Sequence, residues 1–391
     1  MGAPSLSSRD RAGLQLEELP SHHSPRFLGV DGFGHLAPLS STEKGAITQA
    51  MSWSAENVRS KKGEDAMTHH RGFGLALLSL VTALVAAAQP APGGYHLTRT
   101  IPVGGEGKWD YLTFDAAAHR LFVSHATRVE VVDTEKNAVM GAIPDTPGVH
   151  GIALVPEFGR GFTSNGRAGT VTVFDLKTLA VITTIKVTGD KPDAIAYEPV
   201  SHRIFTFNGD SANATAIEAA TAKIVGTLAL DGGPEFAVAD GKGRMYVNIE
   251  DKALLVAFDA STLEIKGRWP LAPCQTPTGL AIDLEHRRLF VGCRSKVMAV
   301  VDADSGRVIT SLPIGGGVDA VAYDPATALV FASNKEGTVT VVHEDSPEKF
   351  TLVGNVPTKP GAKTLALDGA THRIYLSAAE AGAFEILVLE R

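Results

Sequence analysis

The chain has 391 residues, of which 44% are apolar and 20% are charged. This composition is typical of a folded globular protein, and it excludes wholesale disorder and collagen-like repeats. The formal net charge is −7, and because residues 1–88 hold eight basic and eight acidic side chains, all of it belongs to residues 89–391. An acidic body disfavours nucleic acid as the partner, since no basic excess is present to replace counterions.

Residues 67–88 have the three parts of a secretory signal peptide. A basic start is followed by an uncharged run of 17 residues, Gly72 to Ala88, and then by a Pro-rich stretch. We expect cleavage near Ala88 and a periplasmic or secreted protein with no transmembrane span in its mature form. The alternative is a retained anchor, for which 17 residues is the short limit. We interpret residues 1–66 as a disordered leader or a mis-assigned extension before a true start at Met67.

Residues 89–391 contain one sequence motif that recurs seven times. An aromatic residue recurs at steps of 40, 43, 41, 44, 41 and 44 residues, and a small residue always stands nine positions before it. The aromatic residues are Phe122, Phe162, Phe205, Tyr246, Phe290, Phe331 and Tyr375. Such a period is the signature of a repeat architecture, in which each unit packs on its neighbours.

The pattern of each repeat predicts four short strands, which are rich in β-branched and aromatic residues and are separated by turn residues. Four strands in about 42 residues is the size of a propeller blade. The last unit has only three strands, and residues 95–103 resemble the fourth strand of the others. We therefore predict an all-β, seven-bladed β-propeller of four-stranded blades over residues 89–391, with an N-terminal strand that closes the last blade.

Several segments resemble the Tyr-Val-Thr-Asn core of YVTN-repeat propellers. They are Phe-Thr-Ser-Asn at 162–165, Phe-Ala-Ser-Asn at 331–334 and Arg-Met-Tyr-Val-Asn at 244–248. The chain from residue 95 to 391 is thus similar to the secreted, YncE-like members of that family, although blades one, four and seven depart from the core. The resemblance implies the fold and does not identify a ligand.

The repeat predicts which residues surround the mouth of the central channel. Three positions before the small residue stand Asp110, His150, Asp193, Pro234, Thr278, Asp319 and Lys363, with Glu235 directly after Pro234. The varied chemistry of this set is typical of a site grafted on a repeat scaffold. We expect a ligand-binding set at the channel mouth made of Trp109, Asp110, His125, His150, Asp193, Glu235, Asp319 and Lys363.

Three interpretations of this set stay open. Asp110, His150 and Asp193 lie on consecutive blades and offer the oxygen and nitrogen ligands of Ca²⁺ or Zn²⁺. They could instead hold a cationic or hydroxylated small molecule against Trp109. The third interpretation is local turn chemistry, with Asp319 paired to Lys363 and loop asparagines in left-handed turn positions. The turn interpretation is favoured, and no resident cofactor is expected.

Two further groups of residues are interpreted as structural. His-Arg pairs recur in the turn after the first strand at residues 119, 202, 286 and 372, and a position repeated four times indicates packing and not a ligand role. Cys274 and Cys293 map to the same face of one blade. In an exported protein two lone cysteines favour a disulfide over a Cys-His nucleophile.

The sequence favours a non-enzymatic binding or scaffold protein that presents the channel mouth to a small molecule or a protein, and we expect a monomer. The alternative is a metal-assisted hydrolase or lyase of the lactonase type, which the resemblance to other propellers suggests. A covalent c-type haem is excluded because no Cys-x-x-Cys-His motif exists. Basic residues on the mouth loops give only a weak local patch for nucleic acid: Lys191, Lys252, Arg294, Lys296 and Lys335.

Overall fold

A computed structural model describes residues 92–391, apart from Gly107 and Ala381. The predicted signal peptide and the extension before it lie outside the described residues. Within the described range, 28 strands are joined by turns and by short 3₁₀ helices at Pro92–Gly94, Pro156–Phe158 and Glu250–Lys252. None of these helices is long and apolar enough to cross a membrane.

The strands form seven antiparallel sheets of four, each ordered from the channel outward, so the predicted seven-bladed β-propeller is confirmed. Blade one contains β2 (Trp109–Asp115), β3 (Arg120–His125), β4 (Arg128–Asp133) and β5 (Ala138–Ile143). Blade two contains β6 (Val149–Val155), β7 (Arg160–Asn165), β8 (Thr170–Asp175) and β9 (Val181–Lys186). Blade three contains β10 (Pro192–Glu198), β11 (Arg203–Asn208), β12 (Asn213–Glu218) and β13 (Lys223–Ala229).

The remaining blades repeat this order. Blade four contains β14 (Pro234–Ala239), β15 (Arg244–Ile249), β16 (Leu254–Asp259) and β17 (Ile265–Pro270). Blade five contains β18 (Pro277–Asp283), β19 (Arg288–Cys293), β20 (Val297–Asp302) and β21 (Val308–Pro313). Blade six contains β22 (Val318–Asp324), β23 (Leu329–Asn334), β24 (Thr338–Ser346) and β25 (Lys349–Pro357). Blade seven contains β26 (Leu365–Asp368), β27 (Arg373–Glu380), β28 (Ala383–Glu390) and β1 (His96–Pro102).

The hydrophobic core is divided among the seven boundaries between neighbouring blades. Each buried cluster joins residues of two adjacent blades; for example, Phe122 of blade one packs with Phe174 of blade two, 5.8 Å between ring centroids. All seven repeated aromatic residues are at most 1% exposed. Blades packed face to face bury both sides of each sheet, which explains why the strands read as nearly continuous apolar runs.

The N-terminal strand closes the ring as the sequence predicted. Strand β1 pairs antiparallel with β28, and Ile101 lies opposite Ile386. Tyr95, just before β1, is fully buried and donates its hydroxyl to the backbone oxygen of His372 at 2.9 Å. Residues from the two ends of the domain therefore form one blade, and β28 is paired on both sides and is not left as an open outer edge.

The asparagines expected in left-handed turns are placed differently, and that expectation was wrong. Asn165, Asn208 and Asn334 end the second strand of their blades, are fully buried and do not have positive φ. The amide nitrogen of Asn165 donates to the hydroxyls of Thr170 and Thr172, at 3.1 and 2.9 Å. These side chains join the second strand to the third by hydrogen bonds between side chains.

Blade six departs from the repeat at its outer hairpin. Strands β24 and β25 have nine residues each, whereas the corresponding strands of blades one to five have six or seven. The added turn reaches blade five, where Arg288 donates to the backbone oxygen of Pro347 at 2.7 Å. This extension also carries Glu344 to the boundary between the two blades.

Candidate binding site at the channel mouth

A cavity of about 280 Å³ opens at the channel mouth. Its lining combines residues at the starts of inner strands with residues from neighbouring loops: Asp110, Tyr111, His150, Lys191, Asp193, Glu235, Glu250, Arg294, Asp319 and Lys363. Six of the eight residues predicted for the ligand-binding set are among them. Five lining residues are carboxylates and three are Lys or Arg, so the wall is predominantly acidic. We call this space the mouth cavity.

The floor of the mouth cavity is aromatic. Tyr111 of blade one stacks on Phe236 of blade four, with 5.1 Å between the ring centroids and 27° between the planes. Blades one and four are not neighbours in the ring, so a contact between their inner strands has to cross the channel axis. The stacked pair therefore narrows the channel below the charged residues.

Charged groups of five consecutive blades, in the order three, two, one, seven and six, form one connected arc. His150 Nδ1 lies 2.6 Å from Asp110 Oδ2 and 3.5 Å from Asp193 Oδ1. Lys363 Nζ donates to Asp110 Oδ1 at 3.2 Å and also bonds Asp319. The predicted pairing of Asp319 with Lys363 is thus present, as one link of a longer network.

The protonation of this arc follows from its contacts. Burial by itself lowers the pKa of His150, but the hydrogen bond to Asp110 and the charge of Asp193 outweigh it and raise that pKa above its usual value. Burial acts to raise the pKa of Asp110, but the His150 hydrogen bond and the Lys363 charge lower it below its ordinary value. The contact therefore favours the protonated form of His150 and the ionised form of Asp110.

A second arc is organised by Arg294 of blade five. Its guanidinium lies 3.4 Å from Asp319 Oδ1 and 3.7 Å from Glu235 Oε1, and it also bonds Glu250. Burial opposes the charged form, but these three carboxylates raise the pKa of Arg294 above its usual value. The second arc meets the first at Asp319, so the network runs from Asp193 round the mouth to Glu235.

Asp193 and Glu235, on the adjacent blades three and four, are the two ends of this network. Burial raises the pKa of Asp193 to about 6, although the charge of His150 opposes it. Burial and the charges of Asp193 and Glu250 raise the pKa of Glu235 to about 9. Both acids are largely buried, and the charge of Asp193 disfavours ionisation of Glu235.

The backbone of the mouth residues is held by hydroxyl groups of the neighbouring blade. Ser164 of blade two bonds the backbone oxygen of Asp193, and Thr364 of blade seven bonds that of Asp110. The amide nitrogen of Asp110 donates in turn to Ser124 at 2.9 Å. The bonds of Ser164 and Thr364 cross blade boundaries, the Ser124 bond lies within blade one, and together they fix the positions from which the charged side chains project.

Two residues of the predicted set lie outside the mouth cavity. Trp109 stacks on Phe384 at 5.3 Å, in the core between blades seven and one. His125 is 3% exposed, lies 4.8 Å from the same Phe384 ring and contacts Glu130 at 3.3 Å. Neither side chain lines the cavity, so their expected place at the mouth is corrected. Successive side chains of a strand point to opposite faces, and Trp109 therefore turns away from the side that Asp110 occupies.

The three predicted metal ligands do come together. Asp110, His150 and Asp193 offer ligand atoms that lie within 4.8 Å of one another. Cys274 and Cys293 are fully buried and joined as a disulfide, with 5.7 Å between their Cα atoms.

Tyr111 and Glu250 are site residues that the sequence interpretation missed. Glu250 follows β15 in a short 3₁₀ turn, a position that the repeat does not mark. The sequence does distinguish Tyr111, because the corresponding position is Gly or Ala in blades two, three, five and six. One large ring among small residues near a channel axis indicates that it fills the axis.

Comparisons with known proteins bear on the fold alone. No protein-family model and no curated protein matches the chain. A crystal structure of the RRP9 WD40 repeats matches with a TM-score of 0.66 and 10% identity over 77% of this chain and 99% of that one. A structure of U3-55K matches with a TM-score of 0.65 and 10% identity, over 76% of this chain and 99% of that one. The chain thus shares its propeller fold with WD40-repeat structures.

Proposed function

We propose that this chain is an exported β-propeller binding module whose mouth cavity holds an ammonium or guanidinium group of its ligand. The observation that carries the proposal is the pair of acids Asp193 and Glu235, which lie at the two ends of the charge network with raised pKa values. A cation between them offsets the charge of Asp193 and favours the ionised form of Glu235.

The shape and floor of the cavity support this ligand class. A volume of about 280 Å³ is at the lower end for a small-molecule site, and it suits one head group better than a whole ligand. The ring of Tyr111 lies below the acids and offers an aromatic face to a cation. The ligand is then a small amine or the Lys or Arg side chain of a protein partner.

A metal-assisted hydrolase is the second candidate, supported by the proximity of Asp110, His150 and Asp193. The protonation of the same residues weighs against it. A metal ligand has to be a neutral imidazole, whereas His150 has a raised pKa and contacts Asp110 at 2.6 Å. Asp110 is also paired with Lys363 at 3.2 Å, so a cation already neutralises one of the carboxylates that a metal would need, and for this reason we favour binding over catalysis.

The test is binding of cationic fragments to the purified protein, followed by NMR and calorimetry. We expect methylguanidinium or butylammonium to shift the Tyr111 ring signals, and the neutral fragment acetamide to leave them unchanged. Because the cation favours ionised Glu235, binding should release protons at pH 7.5 and tighten as the pH rises towards about 9. Equal binding of charged and neutral fragments would contradict the proposal.

Matched variants locate the binding. Glu235→Gln should weaken fragment binding and abolish its proton release, because the titrating group is removed. Glu336→Gln is the control, since Glu336 is an acid on a blade-six loop that does not line the mouth cavity. Hydrolysis of a lactone panel that is lost in His150→Gln would instead favour the enzyme.

Export is a separate part of the proposal and is supported by residues 67–88. The combination of a basic start, an apolar run and small residues is what a secretory signal contains. Expression of the full chain in a bacterial host should give a periplasmic product whose N-terminus lies near Gln89. A product that keeps its full length in the cytoplasm would refute this part and leave the binding proposal untouched. The YVTN-like resemblance likewise stays our interpretation.

A further inference from the structure

A second cluster of acids and an imidazole lies away from the mouth cavity, at the boundary of blades five and six. Asp283 ends the inner strand β18, His286 lies in the turn that follows, and Glu344 comes from the extended strand β24 of the next blade. These turns are at the opposite end of the inner strand from the mouth residues. The cluster is thus independent of the proposed function.

The three side chains converge on one point. His286 Nδ1 lies 2.7 Å from Asp283 Oδ2 and 3.5 Å from Glu344 Oε1, and the ligand atoms of all three lie within 4.8 Å of one another. Ligand atoms around a single Zn²⁺ are roughly 3–3.5 Å apart, given metal–ligand bonds of about 2.0–2.2 Å. The observed separations bracket this value, so only small movements are needed to coordinate an ion.

The buried carboxylate of Glu344 is an independent indication that the cluster binds a cation. The residue is 4% exposed, and neither of its carboxylate oxygens has a hydrogen-bond partner of ordinary geometry. Its neighbours are the Tyr323 hydroxyl, which is close enough to interact with it, and His286, at 3.5 Å. A buried carboxylate held only by such contacts is costly unless a cation compensates it.

His286 is placed differently from the other turn histidines, because it lies two residues before the second strand of its blade, whereas His119, His202 and His372 lie directly before theirs. His286 pairs with Asp283 of its own turn, and His372 of blade seven contacts Asp324 of blade six at 2.8 Å. No third acid joins that pair among the described residues. At His286 the extended hairpin of blade six adds one. The neighbouring cation, Arg288, is already paired with Asp302 and Glu348, at 2.8 and 3.2 Å.

We propose that Asp283, His286 and Glu344 bind one Zn²⁺ ion across the boundary between blades five and six. One imidazole and two carboxylates form a three-residue set that leaves a coordination position for water. The His286 side chain is 39% exposed and gives the ion access from solvent. Asp283 is oriented by the backbone amides of Glu285 and His286, at 3.0 and 3.2 Å. The ion would tie the extended hairpin to its neighbouring blade.

The experiment is a Zn²⁺ titration of the purified full chain, without a histidine tag and after treatment with a chelator, at pH 7.5. Glu344→Gln and His286→Gln should each lower the number of bound Zn²⁺ by one. Loss of a direct ligand should exceed the roughly 10–100-fold weakening that follows loss of a supporting residue. His372→Gln is the control, because His372 contacts one acid, Asp324, at 2.8 Å, and no third acid joins that pair among the described residues.

The results of this titration can be distinguished from Zn²⁺ binding at the mouth cavity. If wild type and Glu344→Gln bind the same number of Zn²⁺ ions, the proposal is overturned. It is also overturned if His150→Gln alone removes the binding, since the ion then lies at the mouth. Zn²⁺ added to wild type should shift the ring signals of His286 and not those of His372. This readout decides the question even if Glu344→Gln fails to fold.

Discussion

His150 of blade two lies with its Nδ1 atom 2.6 Å from Asp110 Oδ2 of blade one, and this ion pair links the two blades at the channel mouth. The same carboxylate receives Lys363 of blade seven at 3.2 Å. One acid therefore joins three consecutive blades at the point where the ring is closed. The contribution of this group to stability should depend on pH in a definite direction.

The first prediction concerns His150. Its pKa is raised in the folded protein, so the ion pair stabilises the fold below the usual pKa of about 6.5 and loses its effect as the pH rises through the folded value. We expect His150→Gln to lower the Tm more at pH 6 than at pH 9. Thermal unfolding across this range checks it, with the exposed His96→Gln as control. An equal loss at both pH values would contradict the prediction.

The second prediction is that Glu235→Gln stabilises the protein. Because burial and neighbouring acids raise the pKa of Glu235 to about 9, its ionisation destabilises the fold progressively between the unfolded value and about 9. We expect a gain in the free energy of unfolding on the order of 1 kcal/mol at pH 8, and a smaller gain at pH 5. Denaturant titrations at the two pH values measure it. A loss of stability at pH 8 would mean that Glu235 is satisfied as an anion.

The third prediction tests the aromatic floor. The rings of Tyr111 and Phe236 stack at 5.1 Å across the channel, so a double-mutant cycle of Tyr111→Ala and Phe236→Ala should give a coupling energy of about 0.5–1.5 kcal/mol. A cycle of Tyr111→Ala with Phe290→Ala is the control, since Phe290 stacks on Tyr323 in the boundary of blades five and six. We expect no coupling there. Additive losses in both cycles would refute contact across the axis.

The fourth prediction concerns closure of the ring. Ile101 of β1 is fully buried, whereas Leu97 on the same strand is 37% exposed. Ile101→Ala should lower the free energy of unfolding by about 2–5 kcal/mol, and Leu97→Ala should change it by about 0.5 kcal/mol at most. Equal, small effects of both substitutions would show that β1 is not bound to β28 in solution.

The fifth prediction concerns the bond between Cys274 and Cys293. The two residues are 19 positions apart, and a bridge over a loop of that length contributes roughly 3 kcal/mol. Thiol titration of the unfolded, unreduced protein should find no free thiol, and reduction should lower the Tm. The double variant Cys274→Ser, Cys293→Ser should match the reduced protein. Two reactive thiols in the unreduced protein would rule out the bridge.

The fold could be predicted from the sequence because each repeat forms one blade, and the order of the repeats fixes the angle of each blade around the channel axis. Once each small residue and aromatic residue is assigned to a blade, the sequence places Asp110, His150 and Asp193 next to one another around the axis. It does not report distances across the axis, and so the contact of Tyr111 with Phe236 was not predicted. Trp109 was misplaced because the direction of a side chain alternates along a strand. Glu344 was missed because it lies in an extension that breaks the repeat.

The pairing of β1 with β28 also determines when this domain can finish folding. Residues 96–102 leave the ribosome early, and their hydrogen-bonding partners, residues 383–390, leave it only after blades one to six have been made. Blades one to six can assemble from contacts between sequence neighbours, but the seventh waits for two segments that are separated by almost the whole domain. Contacts this distant in sequence form slowly. The propeller therefore stays open until residues 383–390 have been synthesised, and in that state a chaperone can still bind it.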